Sequence, residues 1–245
     1  MAKVPLTDTF FEPLNGAAAA RVNISAGDSN LSIDRLSSSD QALASGSLQY
    51  FEDAGQPTRT LDSSSGQTAF TVTGRANLRP KFRFPWSACN GLTEWQIHLN
   101  PAVSSDITAI SGGGNVKLDL DGMDITRVSA DTGGGNMDLV LPDNTQDISV
   151  TAHSGAGNVT VEMGDGITGE SIVNAKSGAG NVTVHIPRGI AARIFATTGM
   201  GKVIIGSQFN QVGDHTYQSS DFDSAANKID ITAKSGAGNV SIDAN

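Results

Sequence analysis

A short phrase, in which glycine, any residue and glycine precede asparagine, recurs along this chain of 245 residues. The asparagine positions, which we call corners, are Asn115, Asn136, Asn158, Asn181 and Asn239, with Lys202 in the same position between the last two. Successive corners lie 21, 22, 23, 21 and 37 residues apart, so one unit repeats and the final unit carries an insertion. A nearly constant period of this size predicts stacked supersecondary units.

Apolar and polar residues alternate on both sides of each corner. Val150 and Ala152 precede the corner Asn158, and Val159 and Val161 follow it. A period of two is typical of half-buried strands, so each unit is predicted to be a strand, a glycine-hinged corner and a second strand. Every copy also has alanine six residues before the corner and a hydroxyl residue four before it.

These patterns predict an all-β, single-domain β-solenoid of about ten coils with a repeat of roughly 22 residues. A right-handed β-helix is expected, since crossovers between parallel strands are right-handed in nearly all cases. The single domain, 1–245, is predicted to comprise an N-terminal cap (1–21), degenerate coils (22–100), regular coils (101–206), an inserted loop (207–224) and the last coil (225–245). Among the degenerate coils, Val22 and Ile24 reproduce the later spacing, and Leu48 and Tyr50 fit a further coil.

The Gly-x-Gly-Asn corners are expected to serve the stack. Two glycines permit positive φ and a close approach of neighbouring coils, and asparagine tolerates the left-handed region. At an inter-strand spacing of about 4.8 Å, the corner amides are predicted to hydrogen-bond along the column as an asparagine ladder. Ligand binding by the same amides is the alternative interpretation.

No cofactor or metal site is predicted. Calcium-binding β-roll repeats use aspartate with a nine-residue period, whereas these corners hold neutral asparagine at a longer period. The single Cys89 provides neither an internal disulfide nor a metal–thiolate cluster. Outward columns of charge, such as Asp131, His153 and Lys176, are predicted to form exposed ion pairs.

The sequence shows no catalytic constellation, so we expect no enzyme. A carbohydrate-active β-helix enzyme requires two carboxylates, or a carboxylate and a base, facing one cleft. The aspartates of this chain are instead spread over strands and turns, which favours a solubilising acidic face. The enzyme interpretation remains the third of three hypotheses.

The insertion is the candidate interaction loop, because a long loop on a rigid scaffold often carries binding residues. Its candidate residues are Phe209, Asp214, His215, Tyr217 and Phe222. Packing of its aromatic residues Phe209, Tyr217 and Phe222 as a lid over the open end of the last coil is favoured over a binding site. Rings elsewhere, at Phe82, Phe84 and Trp86, are also expected to act as caps or loop anchors.

The charge balance limits the possible partners. A net charge of −9 and a pI near 4.7 disfavour nucleic acids and anionic membrane surfaces. No apolar run approaches the ~20 residues that a bilayer-spanning helix requires, so no direct membrane span is expected in this chain. Whether the chain is part of a membrane-anchored parent stays open.

The Gly-Ala-Gly-Asn corners, the stretch Trp95–Pro101 and the segment Asn227–Ile242 resemble the toastrack or putative-adhesin group of bacterial proteins, which includes the C-terminal domains of LiaF-like cell-wall-active antibiotic response proteins. The resemblance implies a β-solenoid domain linked to envelope stress sensing or surface interaction, and it offers no catalytic residues.

We therefore expect a non-enzymatic, adhesin-like interaction or sensing module of the bacterial cell envelope. Its partner would be a protein or another envelope component. An extracytoplasmic location is expected, with a cytoplasmic one as the alternative. The second hypothesis is a self-assembling structural or filament protein with weak self-association.

Overall fold

The computed structural model describes residues 4–37, 41–63, 67–74 and 92–244. These residues form two β-sheets and one short 3-10 helix, Glu52–Ala54, so the described protein is all-β. The predicted anchors Phe82, Phe84 and Trp86, and the single Cys89, lie outside the described residues.

The strands are numbered in chain order. Sheet A contains β1 (Leu6–Pro13), β3 (Ser29–Arg35), β4 (Ala42–Tyr50), β7 (Thr93–Leu99), β9 (Val116–Asp119), β11 (Met137–Val140), β13 (Val159–Glu162), β15 (Val182–Ile186), β17 (Val203–Ile205) and β21 (Val240–Ala244). Sheet B contains β2 (Ala19–Ser25), β5 (Thr58–Asp62), β6 (Thr68–Thr73), β8 (Ser104–Ser111), β10 (Ile125–Thr132), β12 (Ser149–Ser154), β14 (Glu170–Ser177), β16 (Ala191–Met200), β18 (Asn210–Gly213), β19 (Thr216–Gln218) and β20 (Lys228–Ala237).

One strand of sheet B and the next strand of sheet A together form a unit that we call a rung. In space the rungs follow the order β6/β7, β2/β3, β8/β9, β10/β11, β12/β13, β14/β15, β20/β21 and β16/β17. Neighbouring rungs pair in parallel, with equal repeat positions in register: Val128 lies opposite Val150, and Ala130 lies opposite Ala152. The right-handed winding stays a prediction.

Two rungs lie out of chain order. The first, β2/β3, is inserted between β6/β7 and β8/β9, and the last, β20/β21, is inserted between β14/β15 and β16/β17. The expectation that residues 225–245 stand at the end of the stack is therefore wrong. The long interval after Lys202 accounts for the difference, because it contains the hairpin β18/β19, which covers β16, and the return of the chain to β20.

The core lies between the two sheets. Val150 and Ala152 of sheet B and Val159 and Val161 of sheet A are fully buried, as the alternation of the sequence predicts. The recurring alanines are also buried, at Ala109, Ala130, Ala152, Ala175, Ala196 and Ala233. The buried side chains of these rungs are small or aliphatic, whereas the end rung β6/β7 buries the aromatic rings of Phe70 and Trp95.

Close packing explains the corner glycines. A Cβ atom on Gly157 would lie 2.0 Å from the carbonyl oxygen of Gly135 in the neighbouring rung, which no side chain tolerates. The expected positive φ is wrong here, because none of the glycines before the five corner asparagines has one, and neither do the asparagines. Positive φ occurs instead in the opposite turns, for example at Asn144 and Gly166.

Antiparallel strands cover the end of the stack formed by β6/β7. In sheet A, β4 pairs with β7 and β1 pairs with β4; in sheet B, β5 pairs with β6. Leu48 and Tyr50 belong to β4, so they do not form a further parallel coil.

Arg59 of β5 connects the two sheets at this end. Its guanidinium group contacts the carboxylates of Asp8 and Glu12 on β1 and lies 5.1 Å from the centre of the Phe10 ring. Burial disfavours the charged form of Asp8, but hydrogen bonds from Arg59 and Gln56 and the charge of Arg59 outweigh this effect. The pKa of Asp8 is therefore below its usual value.

Candidate functional site

The corner asparagines form a continuous column of hydrogen bonds. The backbone N–H of each corner residue donates to the Oδ1 of the asparagine in the neighbouring rung, at 2.8–2.9 Å. In spatial order the column contains Asn30, Asn115, Asn136, Asn158, Asn181, Asn239 and Lys202. The acceptors are thus side-chain oxygens and the donors are backbone groups, so the bonds do not join amide to amide. Each of these Oδ1 atoms is already engaged within the fold.

The buried hydroxyl residues at the corners form a second column, to which the sequence interpretation gave no role. Ser154 Oγ donates to the carbonyl oxygen of Gly135 in the neighbouring rung at 2.8 Å, and it accepts from the N–H of Gly157 at 2.8 Å. The same pair of bonds recurs at Ser111, Thr132 and Ser177. The signal in the sequence was the invariant hydroxyl position itself.

The candidate interaction loop divides into an inner and an outer part. Phe209 and Phe222 are buried, at 7% and 3% exposure, and Tyr217 packs partly buried against the core. Phe222 lies beneath Arg193, whose guanidinium carbon is 4.7 Å from the ring centre. Three of the five predicted residues are therefore buried or partly buried against the rest of the protein.

The other two residues of the loop are exposed. Asp214 and His215 form the turn between β18 and β19, and the ring of His215 contacts the edge of Phe195 at 6.5 Å between centroids. The structure thus places His215 beside an aromatic residue of β16 that the sequence interpretation did not select.

The outer face of sheet B carries a row of polar side chains that continues from Phe195 across the rungs. In register these residues are Phe195, Thr232, Asn174, Thr151, Ser129, Thr108, Asn23 and Thr71. Phe195 is the aromatic member of the row and is 36% exposed. Hydroxyl and amide groups in a flat row provide many hydrogen-bond donors and acceptors to solvent.

A second row on the same face contains adjacent basic residues. Lys234 lies directly opposite Lys176, and Lys176 lies opposite His153. His153 Nδ1 contacts Asp131 at 2.8 Å, as the sequence predicts for this pair. Neither lysine, however, takes part in any ion pair found among the described residues. Instead of the predicted ion pair, Lys176 has a residue of like charge, Lys234, at the opposite position of the neighbouring strand.

The two rows meet at Phe195. The Nζ of Lys234 lies 5.0 Å from the centre of the Phe195 ring, within the range of a cation–π contact. Phe195, Lys234 and Lys176 thus form an exposed group with one aromatic ring and two ammonium groups, which we call the Phe195 cluster. The sequence does not reveal it, because Lys176 and Lys234 become neighbours only through the inserted position of β20.

Other charged pairs also lie on the surface. His185 contacts Asp243 at 2.6 Å, and Arg193 contacts Asp230 at 2.7 Å. In the described ranges, no three His, Cys, Asp or Glu side chains come together in an arrangement that fits a metal ion. None of the described residues belongs to a helix long and apolar enough to cross a membrane.

Comparison with known proteins gives a family match. The model of the N-terminal domain of toast_rack, DUF2154, matches residues 3–162. No curated protein matches the chain.

One solved structure matches the chain with a TM-score above 0.5 and shares its fold. A putative cell adhesion protein from Clostridium sporogenes ATCC 15579 is similar with a TM-score of 0.71 and 21% sequence identity, over 99% of this chain and 100% of that chain. A putative adhesin from Bacteroides fragilis NCTC 9343 gives a TM-score of 0.36 and 8% identity, over 99% of this chain and 98% of that chain.

Proposed function

The chain belongs to the family of the toast_rack N-terminal domain, DUF2154, and on this premise we propose that it is a non-catalytic, adhesin-like binding module of the bacterial cell envelope. The protein of similar fold from Clostridium sporogenes is described as a putative cell adhesion protein, which supports this class of function. The Phe195 cluster on the outer face of sheet B is the observation that carries the proposal.

The two lysines of the cluster occupy directly opposite positions on neighbouring strands, where a bound anion would reduce the repulsion between their charges. Residues directly opposite each other on neighbouring strands are about 4.8 Å apart at the backbone, and like charges in this position destabilise a sheet. In water, two unit charges repel by about 1 kcal/mol at about 4 Å and by less at larger separations. A carboxylate that contacts both Lys176 and Lys234 would replace this repulsion with two attractive contacts.

The neighbouring groups specify the ligand further. Phe195 offers an exposed aromatic surface, and Thr232 and Asn174 lie two residues from the lysines on the same strands and the same face. A sugar ring that carries a carboxylate matches this combination, with apolar ring hydrogens on Phe195, hydroxyls on Thr232 and Asn174, and the acid group on the lysines. The ligand is thus an acidic glycan of the cell surface.

The net charge of the protein does not prevent this binding. At physiological ionic strength the screening length is about 8 Å, so an anion at the cluster interacts mainly with its immediate neighbours. Those neighbours include Lys176, Lys234 and the ring of His215.

Titration calorimetry with oligogalacturonate, in which each sugar carries one carboxylate, tests the proposal. Its methyl ester is the matched neutral probe. We expect binding of the acid form and not of the ester. Lys176→Gln and Lys234→Gln should each weaken binding by about fivefold, since an exposed ion pair contributes up to ~1 kcal/mol.

Lys117→Gln is the control variant, because Lys117 is exposed on the outer face of sheet A. Equal binding of the acid and the ester, or equal affinity of the lysine variants and the parent protein, would show that the cluster is not the binding site. No measurable binding of either probe would also contradict the acidic-glycan assignment.

We also place the module outside the cytoplasmic membrane, where surface glycans are found. Protease treatment of intact cells of the source bacterium checks this location. Cleavage of the protein in intact cells is the expected result, and protection until the cells are lysed would contradict it.

A further inference from the structure

The sheets end in different ways at the two ends of the stack. At one end, β1 and β4 extend sheet A and β5 extends sheet B, all antiparallel. At the other end, the hairpin β18/β19 extends sheet B, because β19 pairs antiparallel with β16. Sheet A stops there at β17, which pairs among the described residues only with β21. Within the part of the chain that the structure describes, no antiparallel strand covers this sheet end.

The backbone of β17 presents unpaired groups in a defined pattern. On the side that faces β21, the carbonyl oxygen of Lys202 accepts a hydrogen bond from the N–H of Val240. The N–H of Gly206 donates to the carbonyl oxygen of Ile242, and both bonds are 2.9 Å long. Successive residues of a strand direct their N–H and C=O groups to opposite sides. The backbone N–H and C=O groups of Ile204 therefore point towards β21. Those of Val203 and Ile205 point to the opposite side, away from the sheet.

The side chains at this edge suit a strand partner. β17 consists of three β-branched residues, Val203, Ile204 and Ile205, which favour extended structure. The side chain of Ile204 projects from the outer face and is 51% exposed. An exposed edge of this composition is the kind that pairs with another chain.

We propose that β17 pairs with β17 of a second copy of this chain, antiparallel, around a twofold axis at Ile204. In this register Val203 lies opposite Ile205 of the partner and exchanges two hydrogen bonds with it, and the symmetric pair exchanges two more. All four outward N–H and C=O pairs, two from each copy, are satisfied. The edge is self-complementary, as an isologous interface requires.

The same register brings the two Ile204 side chains together. Ile204 and its equivalent form a pair without mutual hydrogen bonds, for which the Cα atoms approach to about 4.5 Å and the side chains are in contact. Lys202 falls opposite Gly206 of the partner, so its charge meets no equivalent charge. Sheet A then continues from one copy into the next and ends at β1 on both sides of the dimer.

Sedimentation velocity over a range of concentrations tests the dimer. We expect the parent protein to dimerise and Ile204→Lys to remain monomeric, because the substitution places two ammonium groups at the closest approach of the interface. Ile172→Lys is the matched control, since Ile172 is 48% exposed on the outer face of sheet B, away from any sheet end. This variant should dimerise like the parent, and far-UV circular dichroism should show the same fold for all three.

A second variant tests the register. In a Cys89→Ser background, Ile204→Cys should form an intermolecular disulfide on mild oxidation, because the expected Cα separation lies within the disulfide range. Ile172→Cys in the same background should stay unlinked. A parent protein that is monomeric at every concentration, or an Ile204→Lys variant that still dimerises, would overturn the proposal. An open series of larger species would do so as well, since it indicates head-to-tail pairing of β17 with β1.

Discussion

The backbone N–H of Lys202 donates a hydrogen bond of 2.9 Å to the Oδ1 of Asn239, which lies 37 residues later in the chain. In every other bond of the corner column, the donor N–H belongs to the later residue and the acceptor Oδ1 to the earlier asparagine. The direction is reversed here because β16/β17 and the hairpin β18/β19 precede β20/β21 in the chain, whereas β20/β21 lies before β16/β17 in the stack. The rung β20/β21 thus lies between two rungs that precede it in the chain and pairs with both.

The bond between Lys202 and Asn239 predicts that the Asn239 side chain stabilises the folded protein. Asn239→Ala removes the acceptor of the Lys202 N–H, while the backbone N–H of residue 239 keeps its bond to Asn181. We expect the free energy of unfolding in urea to fall by about 0.5–1.5 kcal/mol, the usual contribution of one hydrogen bond. Ser241→Ala, on the outer face of β21, is the control and should change it little. Equal stability of the two variants would contradict a stabilising role for the column.

The buried hydroxyl column predicts a larger loss. Ser154→Ala leaves the carbonyl of Gly135 and the N–H of Gly157 without their partner inside the protein. We expect a loss of about 1–3 kcal/mol, the cost of unsatisfied buried polar groups. Ser149→Ala, near the start of the same strand and on its outer face, provides the comparison. Identical urea midpoints for both variants would mean that water or a local rearrangement satisfies the carbonyl of Gly135 and the N–H of Gly157 in Ser154→Ala.

The alanine column predicts that the space between the sheets is already full. Ala152 is completely buried, and its register neighbours are Ala130 and Ala175. Ala152→Leu should destabilise the protein by ~1–3 kcal/mol through overpacking, measured by urea unfolding. Thr151→Leu adds an aliphatic side chain to the adjacent, outward position and should have a smaller effect. A greater loss for Thr151→Leu would show that the assignment of faces is reversed.

The sequence was sufficient to predict the strands and the buried positions, because the period of two around Val150, Ala152, Val159 and Val161 reflects burial directly. The same regularity concealed the order of the rungs. Every rung offers the same hydrogen-bonding edge and the same register positions, so Lys176 matches Lys234 as well as it matches Thr197. Only the contacts of the folded chain decide whether Lys176 lies opposite Lys234 or Thr197. The Phe195 cluster therefore could not be predicted from the sequence.

The glycine corners illustrate a second limit. Glycine is compatible with both positive φ and close backbone approach, and the sequence does not distinguish these reasons. At Gly157 the approach to Gly135 is decisive, and the backbone conformation is one that other residues adopt.

Asp8 predicts a pH dependence of stability. Its pKa is lowered in the folded protein, so its contact with Arg59 contributes stability above the ordinary aspartate pKa of about 3.9, and this contribution is lost as the pH falls through the folded pKa. The parent protein should therefore lose stability more steeply on acidification below about pH 4 than Asp8→Asn does. Urea unfolding at several acidic pH values measures the difference. Asp121→Asn, exposed in the turn after β9, is the control and should follow the parent curve.

The hairpin β18/β19 predicts how the other sheet end is protected. It covers the edge of β16, where Ala196 donates to the carbonyl of His215 at 3.0 Å and β19 pairs with Arg193 to Phe195. Deleting residues 208–222 removes this cover together with the buried rings of Phe209 and Phe222. An unpaired β16 edge is then open to other chains, so we expect larger species in size-exclusion chromatography.

The deletion is best made in the Ile204→Lys background, so that pairing through β17 does not contribute to the result. Ile204→Lys with the hairpin intact is then the monomeric reference. Association of the deletion variant alone assigns the protection of sheet B to the hairpin. If the deletion variant elutes as a stable monomer with an unchanged circular dichroism spectrum, the hairpin does not protect this end. The β16 edge, with Arg193 and the partly buried Thr197, would then resist association by its own side chains.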